Sequence, residues 1–258
     1  MLTNWAISED TLLIVASIFS VIYLINTACS TVLNGTLIVA TIKSKNLHSA
    51  SNILIAAQAA GDMFLTYNIP VFAYHTFTRT FVPVSTCYLL QLFPSFAINF
   101  TTVLQKIERS YCACHILIAA SYAVFFVTGF YFTTNEDQVL CFITDAMKGR
   151  LKDIWGASQS IINVGVIWIY QKTKNSIKAK SAIGNEDSKK IFASLYLIMI
   201  FYICGWLTSI TIFLIARILT EDVRLTEATE IVLSFCVAVN LLVPFFVYYN
   251  RSNLYHTV

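Results

Sequence analysis

The chain has 258 residues, 57% of them hydrophobic and 12% charged, with a net charge of +3 and a mean hydropathy of +0.69. Soluble domains carry about 25% charged residues, so this chain has too little polar surface to cover a water-facing globule. Most of its surface is therefore expected to face lipid. No basic run is interleaved with stacking aromatics outside the apolar stretches, so no nucleic-acid surface is expected.

The N-terminal "MLTNWAISED" lacks the basic start of a signal peptide, and Glu9 and Asp10 directly precede the first apolar run. That run reads as a retained anchor. A helix needs about 20 apolar residues to cross the hydrocarbon. Seven such stretches follow in order: 12–42, 51–75, 87–108, 116–132, 154–170, 191–216 and 228–249. The first is longer than a bilayer requires, so it tilts or projects. The fifth, "DIWGASQSIINVGVIWIY", carries Ser, Gln and Asn and reads as a helix packed inside a bundle. The expected architecture is all-α, a single seven-helix transmembrane domain over residues 1–258.

Orientation follows from Lys and Arg, which accumulate on the cytosolic side. With the N-terminus outside, Lys43, Lys45, Lys106, Arg109, Lys172, Lys174, Lys178, Lys180, Lys189, Lys190 and Arg251 fall inside; Arg79, Lys148, Arg150, Lys152, Arg217 and Arg224 fall outside. The bias favours an outside N-terminus and a short cytosolic tail, 250–258. The cytosolic loop 171–190 holds six lysines and no aromatic residue. It reads either as a solvated positive-inside anchor or as a docking surface for a cytosolic partner or anionic lipid.

Asp62 is the one carboxylate in the middle of a stretch. Burying it in hydrocarbon costs about 2.5–3.5 kcal/mol, so it is expected to face the bundle interior with Asn34 and Asn240, or Asn99, as partners. Static glue between helices is the alternative, but an amide would glue as well at lower cost than an ionisable group, which favours a functional role. Cys87 and Cys141 both fall on the outer, oxidising side. Cys29, Cys204 and Cys236 read as small packing residues. "CACH" at 112–115 has no second ligand pair, so no metal site is expected. His48, His75, His115 and His256 lie at the ends of stretches or in loops, which leaves no buried catalytic constellation and argues against an enzyme.

"TVLNGTLIVATIKSKNLHSASNILIAAQAAGDMF" (31–64), with Asn34, a short basic turn and Asp62, resembles the first two spans of rhodopsin-like receptors. It is most similar to the nematode serpentine chemoreceptors of the Srsx kind. "KKIFASLYLIMIFYICGWLTSI" (189–210), with Gly205-Trp206, resembles their sixth span, and "NLLVPFFVYYNRSNLY" (240–255) their seventh. The resemblance implies a G-protein-coupled chemosensory receptor at the plasma membrane of sensory neurons, with a small ligand bound among the outer helix halves and a heterotrimeric G protein inside. It implies a disulfide between Cys87 and Cys141 that ties the second outer loop over the pocket. It implies a polar cluster of Asn34, Asp62 and Asn240 that holds water or sodium and rearranges on activation. It also implies activation switches at Glu108, Arg109, Trp206, Pro244 and Tyr248. No other cofactor is expected.

The match is not uniform. Aligned on Tyr248, Pro244 stands one residue early for the family's Asn-Pro pair, so it is either a hinge for Tyr248 or a tolerated kink. Glu108-Arg109 resembles the Asp/Glu-Arg-Tyr switch, with Ser110 in the tyrosine place. Cys87 to Arg109 is 22 residues, about three fewer than the family has, and three residues turn a helix by about 300° and shorten it by about 4.5 Å. Arg109 is then either the switch or an interfacial anchor. The second cytosolic loop is nearly absent, the sixth span has no proline after Trp206, and Pro94 is expected to kink the outer half of the third. A working receptor, a non-signalling diverged relative and a chain that has lost a segment all fit these departures. By position, the ligand contacts are Gln91, Ser95, Trp206, Ser209 and Ser234, in a mostly apolar pocket without buried charge that suits a neutral or weakly polar ligand. A transporter or channel is the alternative class. It predicts internal repeats and paired broken helices, and the prolines (Pro70, Pro83, Pro94 and Pro244) do not recur in matching positions.

Overall fold

The computed structural model describes residues 7–44, 48, 50–104, 112–180, 200–201, 203–220, 222–243 and 245–246. Helix α1 spans Glu9–Lys43. The Ser8 hydroxyl caps it by accepting from the Thr11 N–H, with Glu9 and Asp10 in the first turn and Lys43 in the last, the charge order that suits the helix dipole. Its 35 residues rise about 52 Å at 1.5 Å each, well beyond a hydrocarbon core of about 30 Å. Among the described residues it is the one helix long and apolar enough to cross a membrane by itself; Leu117–Tyr131 and Cys204–Leu219 are apolar but shorter.

Proline accounts for much of that. The second stretch is two helices, α2 (Ala50–Thr66) and α3 (Asn68–Thr78), and the third is also two, α4 (Val84–Leu90) and α5 (Leu92–Leu104). The interruptions at Tyr67 and Gln91 each fall three residues before a proline, Pro70 and Pro94. Proline cannot donate to the carbonyl one turn back, and its ring crowds that carbonyl. Local bonds close the gap: Tyr67 N–H donates to the Phe64 carbonyl at 3.3 Å, and the Thr66 hydroxyl donates to the Met63 carbonyl at 2.7 Å. The kink expected at Pro94 is a one-residue break, with Gln91 N–H still donating to the Cys87 carbonyl at 2.9 Å and Ser95 N–H to the Gln91 carbonyl at 2.8 Å, and Pro70 makes a second break within the stretch 51–75.

The remaining elements are α6 (Cys112–Tyr131), α7 (Gly149–Lys180), a π-helical turn (Ile203–Leu207), α8 (Thr208–Leu219) and α9 (Val223–Asn240). The two-residue strands β1 (Val82–Pro83) and β2 (Gln138–Val139) pair antiparallel, Val82 opposite Val139. A 3-10 turn spans Ile143–Ala146. α7 runs through 171–180, so the first half of the lysine-rich loop is helix. Asp222 caps α9, accepting from Arg224 N–H at 2.8 Å and Leu225 N–H at 3.3 Å through one oxygen, and from Ile7 N–H at 3.1 Å through the other. α9 gives way at Leu241 and Leu242 to bonds that reach back three residues, again just ahead of a proline in the sequence. Pro244 itself, Glu108, Arg109, Tyr248, residues 181–190 and the tail 250–258 lie outside the described residues.

The helices pack in chain order into a closed ring: α1 on α2 and α3, α2 on α5, α5 on α6, α6 on α7, α7 on α8, α8 on α9, and α9 back on α1. Polarity is reversed relative to a soluble protein. Ile18, Phe93, Phe132, Ile161 and Ile218 point outward, while Asn34, Asp62, Asn99, Gln159 and Asn163 are buried. This outward apolar face is what lipid requires; α7 buries Gln159 and Asn163 on its inner face but exposes Ile154, Ile161, Val164 and Trp168 on the other, which corrects its reading as a helix packed wholly inside the bundle. Cys29, Cys204 and Cys236 are exposed, which corrects their reading as packing residues: a small thiol fits a lipid-facing position as well as a core one. Gly205 lets α9 come against the π turn. A Cβ there would collide with the Asn240 side chain and lie 2.9 Å from the Cys236 carbonyl oxygen.

Candidate functional site: a roofed cavity with a buried ion pair

The roof comes from the segment after β2. Cys141 is joined to Cys87 by a disulfide, with Cα atoms 5.2 Å apart, and takes a left-handed φ of 61°. The side-chain amide of Gln91 donates to the Cys141 carbonyl at 2.9 Å, so the break between α4 and α5 holds the same residue. Asp145 accepts from the Phe142 N–H at 2.8 Å. These ties turn Phe142 into the bundle, where its ring stacks on Tyr23 (centroids 6.3 Å apart) and meets Phe72 edge-on (4.9 Å). The Tyr23 hydroxyl donates to the Ile231 carbonyl of α9.

Beneath this roof lies a partly open cavity of about 850 Å³, counting the space continuous with the outside, bounded by α1, the α2–α3 break, α5, the roof, α7, the π turn, α8 and α9. Of the ligand contacts expected from sequence, Trp206, Ser209 and Ser234 line it. Gln91 and Ser95 do not. Both are fully buried, Gln91 bonded to the roof and the Ser95 carbonyl accepting from the Asn99 amide at 2.7 Å. The turn forced by Pro94 puts them in the packing instead of the cavity wall. Trp155 of α7 also lines the cavity and donates its indole N–H to Asn99 at 2.8 Å.

The expectation of a pocket without buried charge is overturned. Glu230, 5% exposed, lines the cavity. Lys152 of α7 donates to both its carboxylate oxygens, at 2.8 and 3.0 Å. Lys152 was placed by sequence in a basic outer loop. In the structure it sits inside α7, with its ammonium 5.2 Å from the centre of the Phe213 ring. Asp145 and Glu227 complete the cluster, and Lys148 reaches both it and Asp137, the latter at 3.5 Å. Burial, then Glu230, pushes the Asp145 carboxyl up to about 6, against Lys152, the Phe142 N–H and Lys148. Burial, then Asp145 and Glu230, pushes Glu227 up to about 8, against Lys148 and Lys152. The signal that could have revealed the pair is two opposite charges, each two residues from the outer edge of an apolar stretch.

Lower in the bundle, Asp62 is buried and accepts from the Gln58 amide at 2.7 Å. The Asn34 amide donates to the Ser30 hydroxyl at 2.9 Å and the Leu241 carbonyl at 3.4 Å. Asn240 packs on Gly205. Among the described residues, no recorded hydrogen bond joins Asn34, Asp62 and Asn240. The partner expected for Asp62 is replaced by a neighbour one helical turn back, which reaches it without crossing between helices.

Residues 27–107 and 97–258 match the family described as Serpentine type 7TM GPCR chemoreceptor Srsx. The chain belongs to the Srsx chemoreceptor family. An Srsx chain is a seven-transmembrane G-protein-coupled receptor by family, which makes this one an all-α, multi-pass membrane protein of the chemoreceptor class. The two Srsx segments share residues 97–107, next to the place where the spacing from Cys87 to Arg109 departs from the family. No curated protein matches the chain.

Proposed function

We propose that the protein is a chemosensory receptor of the plasma membrane of sensory neurons, with its N-terminus outside and seven membrane spans. It binds a small molecule in the roofed cavity and signals to a heterotrimeric G protein on the cytosolic side. The observation that carries this reading is the cavity itself: bounded by the helix ring, roofed by a disulfide-tied segment, and lined by Trp206 on a π turn. A π turn is a soft point in a helix and commonly marks a functional site. Here it stands in the span where relatives carry a proline, so movement of Trp206 against a ligand can pivot α8 relative to the cytosolic half. Water or sodium at Asp62 belongs to the same proposal, with Gln58 as the neighbour that would share it.

A second reading has its own observation. The family match falls into two segments that overlap at 97–107, as expected of a chain altered where the third span meets the cytosol. On that reading the chain is a non-signalling relative. The test is a cell reporter for second messengers, run on the chain as it is and with the second cytosolic loop lengthened, against a panel of small volatile and water-soluble molecules. A response from the unaltered chain supports the receptor. A response only from the lengthened chain supports the non-signalling relative. Silence from both, with the protein at the cell surface, overturns the receptor reading.

A further inference from the structure

We propose that the outer end of the cavity recognises a small apolar amine, whose ammonium group binds the cavity-facing side of Glu230. This inference rests on the reading of the cavity as the ligand site. Glu230 lines the cavity and Lys152 does not, so an entering molecule meets the carboxylate and not the lysine. Lys152 occupies one position on each carboxylate oxygen. Each oxygen has a second lone pair, so the carboxylate can accept from another donor without losing the lysine.

Two further observations point to a donor-rich ligand. Asn68 lines the cavity and is 5% exposed; its amide N–H donates to the Leu65 carbonyl, while its side-chain oxygen has no partner. The Thr144 hydroxyl of the roof is unpartnered as well. A buried acceptor without a donor carries a desolvation penalty that a ligand can remove. An ammonium offers three donors and no acceptor. Four aromatic side chains, Tyr23, Trp155, Trp206 and Phe213, line the cavity among aliphatic ones. Such faces attract a cation and bury an apolar body. Lys152 already lies over Phe213 in this way. An acid would meet Glu230 with like charge, and a neutral alcohol could satisfy Asn68 but would give the carboxylate only an uncharged donor, the weaker of the two bonds.

The test uses the purified full chain in lipid nanodiscs and three probes of one shape: 2-phenylethylamine, 2-phenylethanol and 3-phenylpropanoate. The expected result is that the amine binds at least about tenfold tighter than the alcohol, the margin of one charge-assisted hydrogen bond, and that the acid binds most weakly. Glu230→Gln should abolish the preference for the amine while keeping the alcohol. Because that variant leaves Lys152 buried and alone, the double variant K152M/E230Q provides a second, folded background, and it too should bind amine and alcohol alike. Equal binding of amine and alcohol by the natural chain, or an amine preference that survives both variants, overturns the amine inference and leaves the cavity as a ligand site. Failure of all three probes to bind overturns the cavity reading itself.

Discussion

Replacing Lys152 by Met should be among the most destabilising single changes outside the disulfide. Methionine keeps the length and most of the volume of the side chain, so packing changes little and the charge is what disappears. The Lys152 and Glu230 side chains are 9% and 4% exposed, against 50% and 54% for Arg224 and Glu9. Breaking a buried pair leaves an uncompensated charge in a medium that solvates it poorly, which costs about 3–5 kcal/mol. Breaking an exposed pair costs about 0–1 kcal/mol. Replacing both buried partners by neutral groups of similar size is often close to neutral. A double-mutant cycle on unfolding of the detergent-solubilised protein therefore should give a large loss for K152M, a comparable loss for E230Q, and recovery of most of it in K152M/E230Q. R224M is the internal control and should stay within about 1 kcal/mol of the natural chain. If K152M is as mild as R224M, or if the double variant is no better than the singles, the two side chains are not a buried pair and the electrostatic account of the cavity fails.

Three further outcomes are expected. Asp145 and Glu227, both outside the apolar spans, hold their protons to about 6 and about 8 in the folded state. A carboxyl raised in this way binds more protons folded than unfolded, so stability falls as pH rises from the ordinary carboxylate range through those values; the midpoint of thermal unfolding should drop from about pH 5 to about pH 8, and Glu227→Gln should flatten the upper part of that drop. Cys87→Ser opens a crosslink between residues 54 apart, which on the chain-entropy account removes about 4 kcal/mol and should appear as loss of surface protein together with loss of the roof over the cavity. Gly205→Ala sets a methyl group against Asn240 and the Cys236 carbonyl; overpacking of this kind costs about 1–3 kcal/mol, visible as a lower unfolding temperature, whereas Gly165→Ala, where a Cβ meets nothing within 4 Å, should not lower it.

Elements set by local chemistry were legible in the sequence. The apolar runs mark where the helices lie because hydrocarbon length and backbone hydrogen bonding leave little choice. Asp62 was expected to be buried because an ionisable group in the middle of an apolar run has nowhere else to go, and it is. The disulfide came from family resemblance and joins the expected pair. Pro94 signals a kink; Pro70 carries the same signal, but the run around it is as apolar as its neighbours and reads as continuous helix. What the sequence did not reveal depends on rotation and register between helices far apart in the chain. Lys152 and Glu230 are 78 residues apart; nothing local marks either as facing the other, and Lys152 stood two residues before an apolar run, where a loop is the natural reading. Gln91 and Ser95 are expected at the cavity by their position in the third span, and a kink expected at Pro94 does not say which way they turn. In the structure both lie buried beside the break before Pro94, and Gln91 fastens the roof.

The measurement that tests the account most directly is the sidedness of the chain in a cell. One epitope tag goes at the N-terminus and a second, separately, beside Gly184 in the lysine-rich segment, and intact and permeabilised cells are stained. The account predicts an N-terminal tag visible on intact cells and a Gly184 tag visible only after permeabilisation, which puts the roofed cavity on the outer face and the lysines toward a G protein. Staining of both tags on intact cells, or of the Gly184 tag alone, would contradict it.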